Sequence, residues 1–372
     1  MKTALIHYWL TNVRGGEKVL SAIAALYPDA SIYTHAYQPC NMGGLFDGRD
    51  VRETFIAHLP FGRKHPQAYL PLMPRALRSL DLAEYDLVIS SESGPAKGVR
   101  KRTGQRHVCY CHTPMRYLWD MHEEYYRNAS LPGKMAMRLF TPALRRADIA
   151  SAEAVDLFVA NSAFVRERIR RIYRRDAEVV HPPVDVEMFR PAKGETSSRG
   201  FFLCAGQLVP YKRADVAIEA CVRMNLPLVV AGAGPQEKAL RKRYAHCPNV
   251  VFKGRVDDAS LRELYINARA LLFPGVEDFG IMPVEAQAAG TPVVAFGAGG
   301  ALETVLPGKT GVFFHEQTPS ALCAVLEEFA SQSYSPSACI ANARRFSMQE
   351  FSKAFASVLE KPSGCTGGKD LV

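Results

Sequence analysis

The sequence predicts an α/β protein made of two Rossmann-like domains, each with a parallel sheet. Short apolar runs alternate with helical segments along almost the whole chain, which is typical of parallel strands connected by helices. The chain has 372 residues, more than one hydrophobic core usually serves. A polar stretch rich in Lys, Ser, Thr and Gly, residues 190–200, interrupts the alternation and predicts the linker between the domains.

The first half contains five candidate strands and three candidate helices. The strands are apolar with few polar residues, as expected when helices cover both faces of a sheet. They cover residues 3–10, 85–92, 107–112, 157–162 and 178–183, and the helices cover residues 16–27, 134–151 and 163–173. We therefore expect an N-terminal Rossmann-like domain over residues 1–190.

The alternation of strands and helices restarts after the polar stretch. The candidate strands cover residues 200–208, 227–234, 250–255, 270–275 and 291–297, and helices are expected over 214–224, 236–245, 260–268 and from Pro283 onward. This indicates a C-terminal domain over residues 191–346. A further helix over 347–360 is expected to return to the N-terminal domain, and the Gly-rich tail, 361–372, to be disordered.

The net charge is +9 and is unevenly distributed. Residues 1–190 hold 27 Lys and Arg against 20 Asp and Glu, whereas residues 191–372 hold 19 against 17. A basic surface suits nucleic acid, an anionic membrane or a phosphorylated substrate, and a solvated surface without a partner is equally compatible. Basic clusters occur at 97–106 and 166–175, and the basic, Leu-rich segment 70–80 is a candidate membrane-surface element.

No stretch has the features of a signal peptide or the length of a membrane span. We therefore expect a cytoplasmic protein. The basic segments suggest a peripheral position at the inner face of the plasma membrane as an alternative. The nine cysteines show no metal-binding spacing and are expected to be reduced thiols.

The stretch GVEDFGIMPVEAQAAG, residues 275–290, carries two glutamates separated by a Gly and a Pro. A strand ends just before it, so Glu277 is expected in a loop at the carboxyl edge of the sheet. Pro283 suits the first position of a helix, which places Glu285 in the first turn. Free N–H groups at such a helix start form an anion site, and Gly280 allows a phosphate to approach the backbone.

This stretch resembles the E-x7-E signature of the retaining glycosyltransferases of family 4, which have the GT-B fold. Other segments resemble family motifs in the same order, including WLTNVRGGEKVL (9–20), AGQLVPYKRADVAIEA (205–220) and FKGRVDDASLRELY (252–265). The segment CYCHTPMRYLWD (109–120) is similar to that of bacterial O-antigen and exopolysaccharide enzymes, several of them mannosyltransferases that use GDP-mannose. The resemblance covers almost the whole chain and implies an active site in the cleft between the domains. It also implies that residues 1–190 bind the acceptor and that residues 191–346 bind the sugar nucleotide.

The resemblance implies roles for individual residues. Lys212 contacts the donor diphosphate, where a cation stabilises the charge that grows on the leaving group. Glu277 contacts a hydroxyl of the transferred sugar, and Glu285 accepts hydrogen bonds from the ribose hydroxyls. His112 hydrogen-bonds the donor sugar and arranges the reaction centre. The remaining donor-side residues are Gly15, Gly16, Gln207, Arg213, Arg255, Val256, Phe279, Gly280, Ile281 and Met282, and the acceptor-side residues are Thr113 and Arg116.

One position departs from the family pattern. The family usually has Gly-Arg-Leu where this chain has Gly-Gln-Leu, so the neutral Gln207 replaces a second cation at the phosphates. Either Arg213 or another cation substitutes for it, or stabilisation of the leaving group is weaker.

These residues indicate the reaction and the partners. The expected reaction is retaining transfer of a hexose, with mannose from GDP-mannose as the first hypothesis, onto a glycan acceptor linked to polyprenyl diphosphate. A front-face route is favoured, in which a phosphate oxygen of the donor takes the acceptor proton. No Asp-x-Asp motif is present, and Lys212 and a helix start are available for the phosphates, so no metal is expected. The Gly-rich runs at 229–235 and 296–300 lack the full dinucleotide fingerprint, so no cofactor is expected beside the sugar-nucleotide co-substrate.

Other readings stay open at this point. Guanine and uracil both fit, so a UDP-sugar or another GDP-sugar is an alternative donor, and the linkage and acceptor are not fixed. A nucleotide-sugar epimerase on the same fold, or a non-enzymatic basic binding protein, is a less favoured alternative. Nucleic acid is not expected as a partner because aromatic residues do not alternate with the basic clusters.

Overall fold

The computed structural model describes residues 1–192 and 198–361, which form two compact units. The first unit comprises Met1–His181 and the segment that begins at Ser352, and the second comprises Pro182–Phe351. Residues 193–197 of the predicted linker and 362–372 of the predicted tail lie outside the described residues.

The first unit is built on a seven-stranded sheet whose neighbouring strands are all parallel. Its strands are β1 (Thr3–His7), β2 (Ser31–Thr34), β3 (Val51–Glu53), β4 (Leu87–Glu92), β5 (Arg106–Cys111), β6 (Leu157–Ala160) and β7 (Ala177–Val179). Its helices are α1 (Gly15–Leu26), α2 (Met73–Arg78), α3 (His122–Asn128), α4 (Leu131–Glu153) and α5 (Ala163–Tyr173). The strand order is β3-β2-β1-β4-β5-β6-β7, so the sheet grows outward in both directions from β1 and β4.

The second unit repeats this arrangement with a six-stranded parallel sheet. Its strands are β8 (Phe201–Ala205), β9 (Leu228–Ala231), β10 (Val250–Gly254), β11 (Ala268–Phe273), β12 (Val293–Phe296) and β13 (Gly311–Phe314). Its helices are α6 (Val186–Phe189), α7 (Ala214–Arg223), α8 (Glu237–Arg243), α9 (Asp258–Asn267), α10 (Ile281–Ala288), α11 (Ala301–Thr304), α12 (Pro319–Ser331) and α13 (Pro336–Ala343). The strand order is β10-β9-β8-β11-β12-β13.

Alternate side chains of the second sheet fill two separate cores. On β11, Leu271 packs in one core and Leu272 in the other, and both are at most 1% exposed. Because successive side chains of a strand point to opposite faces, an apolar run with no polar positions marks a sheet that is covered on both sides. The predicted α/β class is confirmed in both units.

Three short strands were not predicted from the sequence. These are β2, β3 and β13, which have four, three and four residues. They pair in register with a neighbouring strand, for example Ile32 with Leu5, and this pairing rather than a long apolar run of their own defines them. The hydrophobic pattern alone does not distinguish strands of three or four residues from loops.

The last described helix, α14 (Met348–Glu360), returns to the first unit as predicted. The ring of Phe355 lies 6.1 Å from that of Tyr110 on β5, and both side chains are fully buried. The Arg106 guanidinium donates to the carbonyl oxygens of Leu359, at 2.5 Å, and Lys361, at 2.9 Å.

The segment over 70–80, a candidate membrane-surface element, is only partly exposed. Met73, Ala76 and Leu77 of α2 are at most 1% exposed and pack in the core, whereas Leu72 is 41% exposed. None of the described helices combines the length and the apolar character required to cross a bilayer.

The two basic clusters are also less available than their sequences suggest. Lys97 is fully buried, and its Nζ donates to Glu92 Oε1 at 2.6 Å and to Asp148. In the second cluster, the guanidinium of Arg175 donates to backbone carbonyls that include that of Val155, at 2.7 Å. Part of the formal positive charge is therefore used inside the fold.

Candidate functional site

Each sheet has one point at which the strand order reverses, and the candidate residues gather at these points. In the first sheet the reversal lies between β1 and β4, and in the second it lies between β8 and β11. In open α/β sheets, ligands bind beyond the carboxyl ends of the strands at such a switch point. The two groups of residues are described separately, beginning with the second unit.

Two glycines shape the switch point of the second sheet. Gly206 follows β8 with φ +121°, a conformation that L side chains rarely adopt. Gly275 follows β11, and a Cβ atom built on it would lie 2.7 Å from Lys212 Cα. The absence of both side chains lets the backbone around Lys212 lie directly against the end of β11, so the two strand ends share one pocket.

Lys212 and Glu277 meet in this pocket. Lys212 ends a short 3-10 turn, Pro210–Lys212, after β8, and Glu277 lies in the loop after β11. Lys212 Nζ lies 2.9 Å from Glu277 Oε1, and each side chain is about one-fifth exposed. The pocket places a cation and a carboxylate, side by side and partly solvated, at the carboxyl edge of the sheet.

The helix after this loop begins earlier than the sequence suggested. α10 starts at Ile281, with Gly280 as its N-cap at φ +86°, so Pro283 occupies the third helical position rather than the first. Pro is tolerated there because N–H groups in the first turn have no partner within the helix. Glu285 consequently lies beyond the first turn, which corrects the prediction that it lies within it.

Glu285 is held from behind by a buried tyrosine. The Tyr265 hydroxyl donates to Glu285 Oε2 at 3.0 Å, and the two residues are 0% and 8% exposed. Burial, together with the negative charge of Glu285, raises the pKa of Tyr265 well above its ordinary value. Tyr265 therefore remains a hydrogen-bond donor and fixes the position of this carboxylate, a contact that the sequence analysis did not anticipate.

The other predicted donor-side residues differ in their environment. Gln207 is exposed and lines the same pocket as Lys212. Arg213 has φ +52°, and its guanidinium pairs with Asp215, Nε to Oδ1 3.1 Å, so its charge is directed to a neighbouring carboxylate. Arg255 is exposed just beyond the end of β10, and Val256 packs at the edge of a core. Phe279 is buried, while Ile281 and Met282 are half-buried on α10.

A chain of polar side chains crosses the switch point of the first sheet. His112 Nε2 lies 2.9 Å from Ser91 Oγ, and Ser91 Oγ lies 3.2 Å from His7 Nδ1. The other ring nitrogen of His7 lies 3.7 Å from Glu17 Oε1. β1 and β4 bring this chain together, because His7 and Ser91 are direct partners in the sheet register.

The negative charge of Glu17 determines which atoms in this row of side chains donate hydrogen bonds and which accept them. A carboxylate beside Nε2 of His7 favours the proton on that nitrogen, which leaves Nδ1 to accept from the Ser91 hydroxyl. The oxygen of Ser91 then accepts from His112 Nε2–H, so His112 presents Nδ1 as an acceptor. Burial and the neighbouring His7 lower the pKa of His112 to about 3, which keeps the ring neutral near pH 7.

Gly16 lies beside this row of polar side chains. A Cβ atom built on Gly16 would lie 3.0 Å from the hydroxyl of Tyr8 and 3.6 Å from His112 Nε2. Gly15 and Gly16 open α1 at the carboxyl end of β1. The predicted glycine turn and His112 therefore share one edge of the first sheet.

The predicted acceptor-side residues have different surroundings. Thr113 is buried, and its hydroxyl accepts from Arg168 Nη1 at 3.0 Å, so it is tied to α5. Arg116 is half-buried. Within the described residues, no group of three or more His, Cys, Asp or Glu side chains is arranged to hold a metal ion.

Two family models match the chain consecutively. One, described as Glycosyltransferase Family 4, matches residues 13–188, and the other, Glycosyl transferases group 1, matches residues 185–346. The chain belongs to glycosyltransferase family 4. The two matches meet at residues 185–188, close to where the chain passes from the first unit to the second.

Curated relatives of this family 4 chain are similar over part of their length. A D-inositol 3-phosphate glycosyltransferase from Streptomyces avermitilis is 33% identical over 48% of this chain and 45% of the relative. A GDP-mannose-dependent alpha-(1-6)-phosphatidylinositol monomannoside mannosyltransferase from Mycobacterium tuberculosis is 32% identical over 43% of this chain and 49% of the relative. The chain spans about half the length of the curated relatives it matches.

Solved structures establish the fold of the family 4 chain. The HepE protein from Anabaena, determined in complex with UDP, has a TM-score of 0.71 and 19% identity, and the match covers 96% of this chain and 99% of HepE. The predicted GT-B fold, with two Rossmann-like domains, is confirmed. The family and its named relatives also support the prediction of a hexosyltransferase.

Proposed function

We propose that this family 4 member is a retaining hexosyltransferase that takes its hexose from a nucleoside-diphosphate sugar. The observation that carries the proposal is the Lys212–Glu277 pair at the switch point of the second sheet, at 2.9 Å. A leaving nucleoside diphosphate gains negative charge as the glycosidic bond breaks, and a preorganised cation stabilises that charge. A carboxylate beside the cation can accept a hydrogen bond from a hydroxyl of the transferred sugar.

The donor that we propose first is GDP-mannose. It is supported by the GDP-mannose-dependent mannosyltransferase among the relatives and by the resemblance of residues 109–120 to bacterial mannosyltransferases. A UDP-sugar is the second candidate, because the structurally similar HepE has been determined with UDP-glucose. Glu285, held by Tyr265, would accept from the ribose hydroxyls of either donor.

The proposed acceptor is a glycan on a polyprenyl diphosphate, in the synthesis of a bacterial surface polysaccharide such as lipopolysaccharide. The resemblance of the segment around His112 supports this proposal. With a lowered pKa, the His112 ring stays neutral and presents an acceptor nitrogen to a hydroxyl of the donor sugar. His112 would then act by positioning the sugar rather than by carrying charge.

Retention is proposed to follow a front-face route. The acceptor hydroxyl attacks from the side on which the diphosphate leaves, and a phosphate oxygen takes its proton. The pairing of Glu277 with Lys212 supports this route over a double displacement, because a carboxylate that neutralises a cation is a weaker nucleophile. Lys212 supplies the positive charge at the diphosphate, so we propose that transfer needs no divalent metal or other cofactor.

A thermal-shift screen of GDP- and UDP-sugars tests the donor. A ligand that binds only the folded chain raises its melting temperature, and the shift grows with ligand concentration. GDP-mannose is expected to give the largest shift, and Lys212→Met is expected to remove it. A larger shift with a UDP-sugar would select the second candidate, whereas no shift with any sugar nucleotide would contradict the proposal.

The reaction itself needs a second assay. Transfer from the selected donor to a polyprenyl-diphosphate glycan should give a product with the anomeric configuration of the donor, read by NMR. Activity is expected to survive a chelating agent. An inverted product would overturn the front-face route, and consumption of the donor without an acceptor would indicate an epimerase instead.

A further inference from the structure

Helix α4 (Leu131–Glu153) carries large apolar side chains on its solvent side. Leu131, Met135 and Leu139 are 79%, 74% and 71% exposed. Residues four apart on a helix advance by about 40° around its axis, so these three side chains form one stripe. A surface helix usually buries such a stripe against the core, and α4 does the reverse.

The buried side of α4 combines polar and apolar residues and does not use this stripe. Its buried residues are Thr141, Asp148 and Ala152. Asp148 accepts from Trp119 Nε1 at 2.7 Å and from the Tyr173 hydroxyl at 3.0 Å, and it also pairs with the buried Lys97. A network of hydrogen bonds and ion pairs thus anchors the helix to the first unit, and the fold does not account for the apolar stripe.

The charges around the stripe have one sign. Residues 125–147 contain five Lys and Arg and no Asp or Glu. Arg138 and Arg146 are exposed, and on a helical projection both fall beside or within the apolar stripe. Apolar side chains flanked by basic ones on one side of a helix are typical of elements that lie in the headgroup region of an anionic bilayer.

We propose that the outward face of α4, defined by Leu131, Met135, Leu139, Arg138 and Arg146, docks the first unit on an anionic lipid bilayer. The apolar side chains enter the boundary between headgroups and acyl chains, and the guanidinium groups contact lipid phosphates. Charge favours this occupant over a second copy of the chain, because a symmetric pairing of the two faces would bring like charges together. The proposal needs no sugar transfer, so it can stand or fall independently of the proposed function.

Vesicle flotation with the full chain tests this docking. The chain is mixed with vesicles of phosphatidylcholine alone, or of equal parts phosphatidylcholine and phosphatidylglycerol, without donor or acceptor. Binding to the anionic vesicles is expected, with weaker binding at high salt because the attraction between charges is screened. Met135→Glu combined with Leu139→Glu should weaken binding by roughly tenfold or more, because two apolar contacts are lost and two repulsive charges are added.

Two further variants separate the parts of the face. Arg138→Glu with Arg146→Glu should reduce binding to anionic vesicles several-fold and leave any residual binding to neutral vesicles unchanged. Val251→Glu is the matched control, since it replaces an exposed aliphatic side chain of the second unit, 47% exposed, and should not change binding. Circular dichroism melts are expected to be the same for all variants, because the substituted side chains face solvent.

Three outcomes would overturn the proposal. The first is a wild-type chain that does not float with anionic vesicles at low salt. The second is a Met135→Glu, Leu139→Glu variant that floats as well as the wild type. The third is a dimer in solution that dissociates on the same substitutions, which would show that a second copy covers the face.

Discussion

Lys212 and Glu277 approach to 2.9 Å at the one place in the second sheet where the strand order reverses. Each residue follows a different central strand, and the glycines at 206 and 275 allow the two strand ends to lie close together. A partly exposed ion pair contributes only about 0–1 kcal/mol to folding stability. The geometry therefore matters more for what the pair can bind than for the stability of the fold.

Substitution of either partner should reduce activity strongly and stability little. Lys212→Met and Glu277→Gln are each expected to lower kcat by roughly a hundredfold or more, because each removes an interaction that strengthens in the transition state. The unfolding free energy, measured by thermal melts, should fall by no more than about 1 kcal/mol. Lys238→Met, at an exposed lysine of α8, is the control and should retain full activity. Near-normal transfer by either variant would remove that residue from the proposed mechanism.

A methyl group at Gly275 should disturb Lys212 without altering any charge. The added Cβ would lie 2.7 Å from Lys212 Cα, so the backbone at one of the two strand ends must move. We expect Gly275→Ala to lower donor affinity at least tenfold and the unfolding free energy by about 1–3 kcal/mol. Gly200→Ala is the matched control, because a Cβ there meets nothing closer than 3.9 Å. Equal donor affinities in the two variants, read by calorimetric titration, would show that the position of Lys212 is unimportant.

Ser91→Ala should disconnect His112 from the polar chain that ends at Glu17. Without the hydroxyl, the His112 ring loses its 2.9 Å partner and with it the preference for one tautomer. We expect kcat to fall roughly tenfold with little change in KM, because the positioning effect resembles removal of one hydrogen bond. Steady-state kinetics over a range of pH would measure it.

The neighbouring serine provides the control for this substitution. Ser90 Oγ lies 2.9 Å from His107 Nε2, so Ser90→Ala removes an equivalent contact from the same strand without touching His112. It should lower stability by a similar amount and leave kcat unchanged. If both variants lost the same fraction of activity, Ser91 would have only a structural role.

Acid should destabilise the first unit well above the pH at which carboxylates titrate. Burial lowers the pKa of both His35 and His107 to about 4, whereas a histidine in an unfolded chain titrates near 6.5. Between these values only the unfolded chain takes up the proton, so the unfolding free energy falls as the pH falls. Each such residue contributes a slope of about 1.4 kcal/mol per pH unit within that window.

Urea unfolding at several pH values between 7 and 5 would measure this slope. His107→Asn should reduce this slope by the contribution of about one proton, roughly 1.4 kcal/mol per pH unit, because Asn does not titrate. His35→Asn tests the same effect independently, because His35 lies just after β2 rather than on β5. An unchanged slope in both variants would mean that these histidines take up the proton equally in the folded and the unfolded chain.

The sequence predicted the strands and helices that contain a long apolar run. It did not predict the features that are determined by tertiary contacts. Strand β11 and helix α5 were expected and found, whereas β13 is defined only by its register with β12. Pro283 suggested a helix start, but Gly280 with its positive φ begins the helix sooner. Basic residues were counted as surface charge, although Lys97 is enclosed by two carboxylates.

The candidate site was predictable only in part for the same reason. Glu277 and Lys212 lie far apart in the chain, and no local sequence pattern predicts their contact. Only the resemblance to family 4 indicated that both belong to one site. Ser91 and His7 were missed because each is one unremarkable residue on a buried strand. Their positions opposite each other in the register could be inferred only once the strand order was known.

The return of α14 to the first unit has a practical consequence for dissecting the protein. The first unit is discontinuous in sequence, so a fragment ending at His181 would lack Phe355 and expose the ring of Tyr110 that it covers. Arg106 would also lose the two carbonyl groups to which it donates. A self-contained first unit would have to be made by a circular permutation or by a short linker that joins α14 directly to β7.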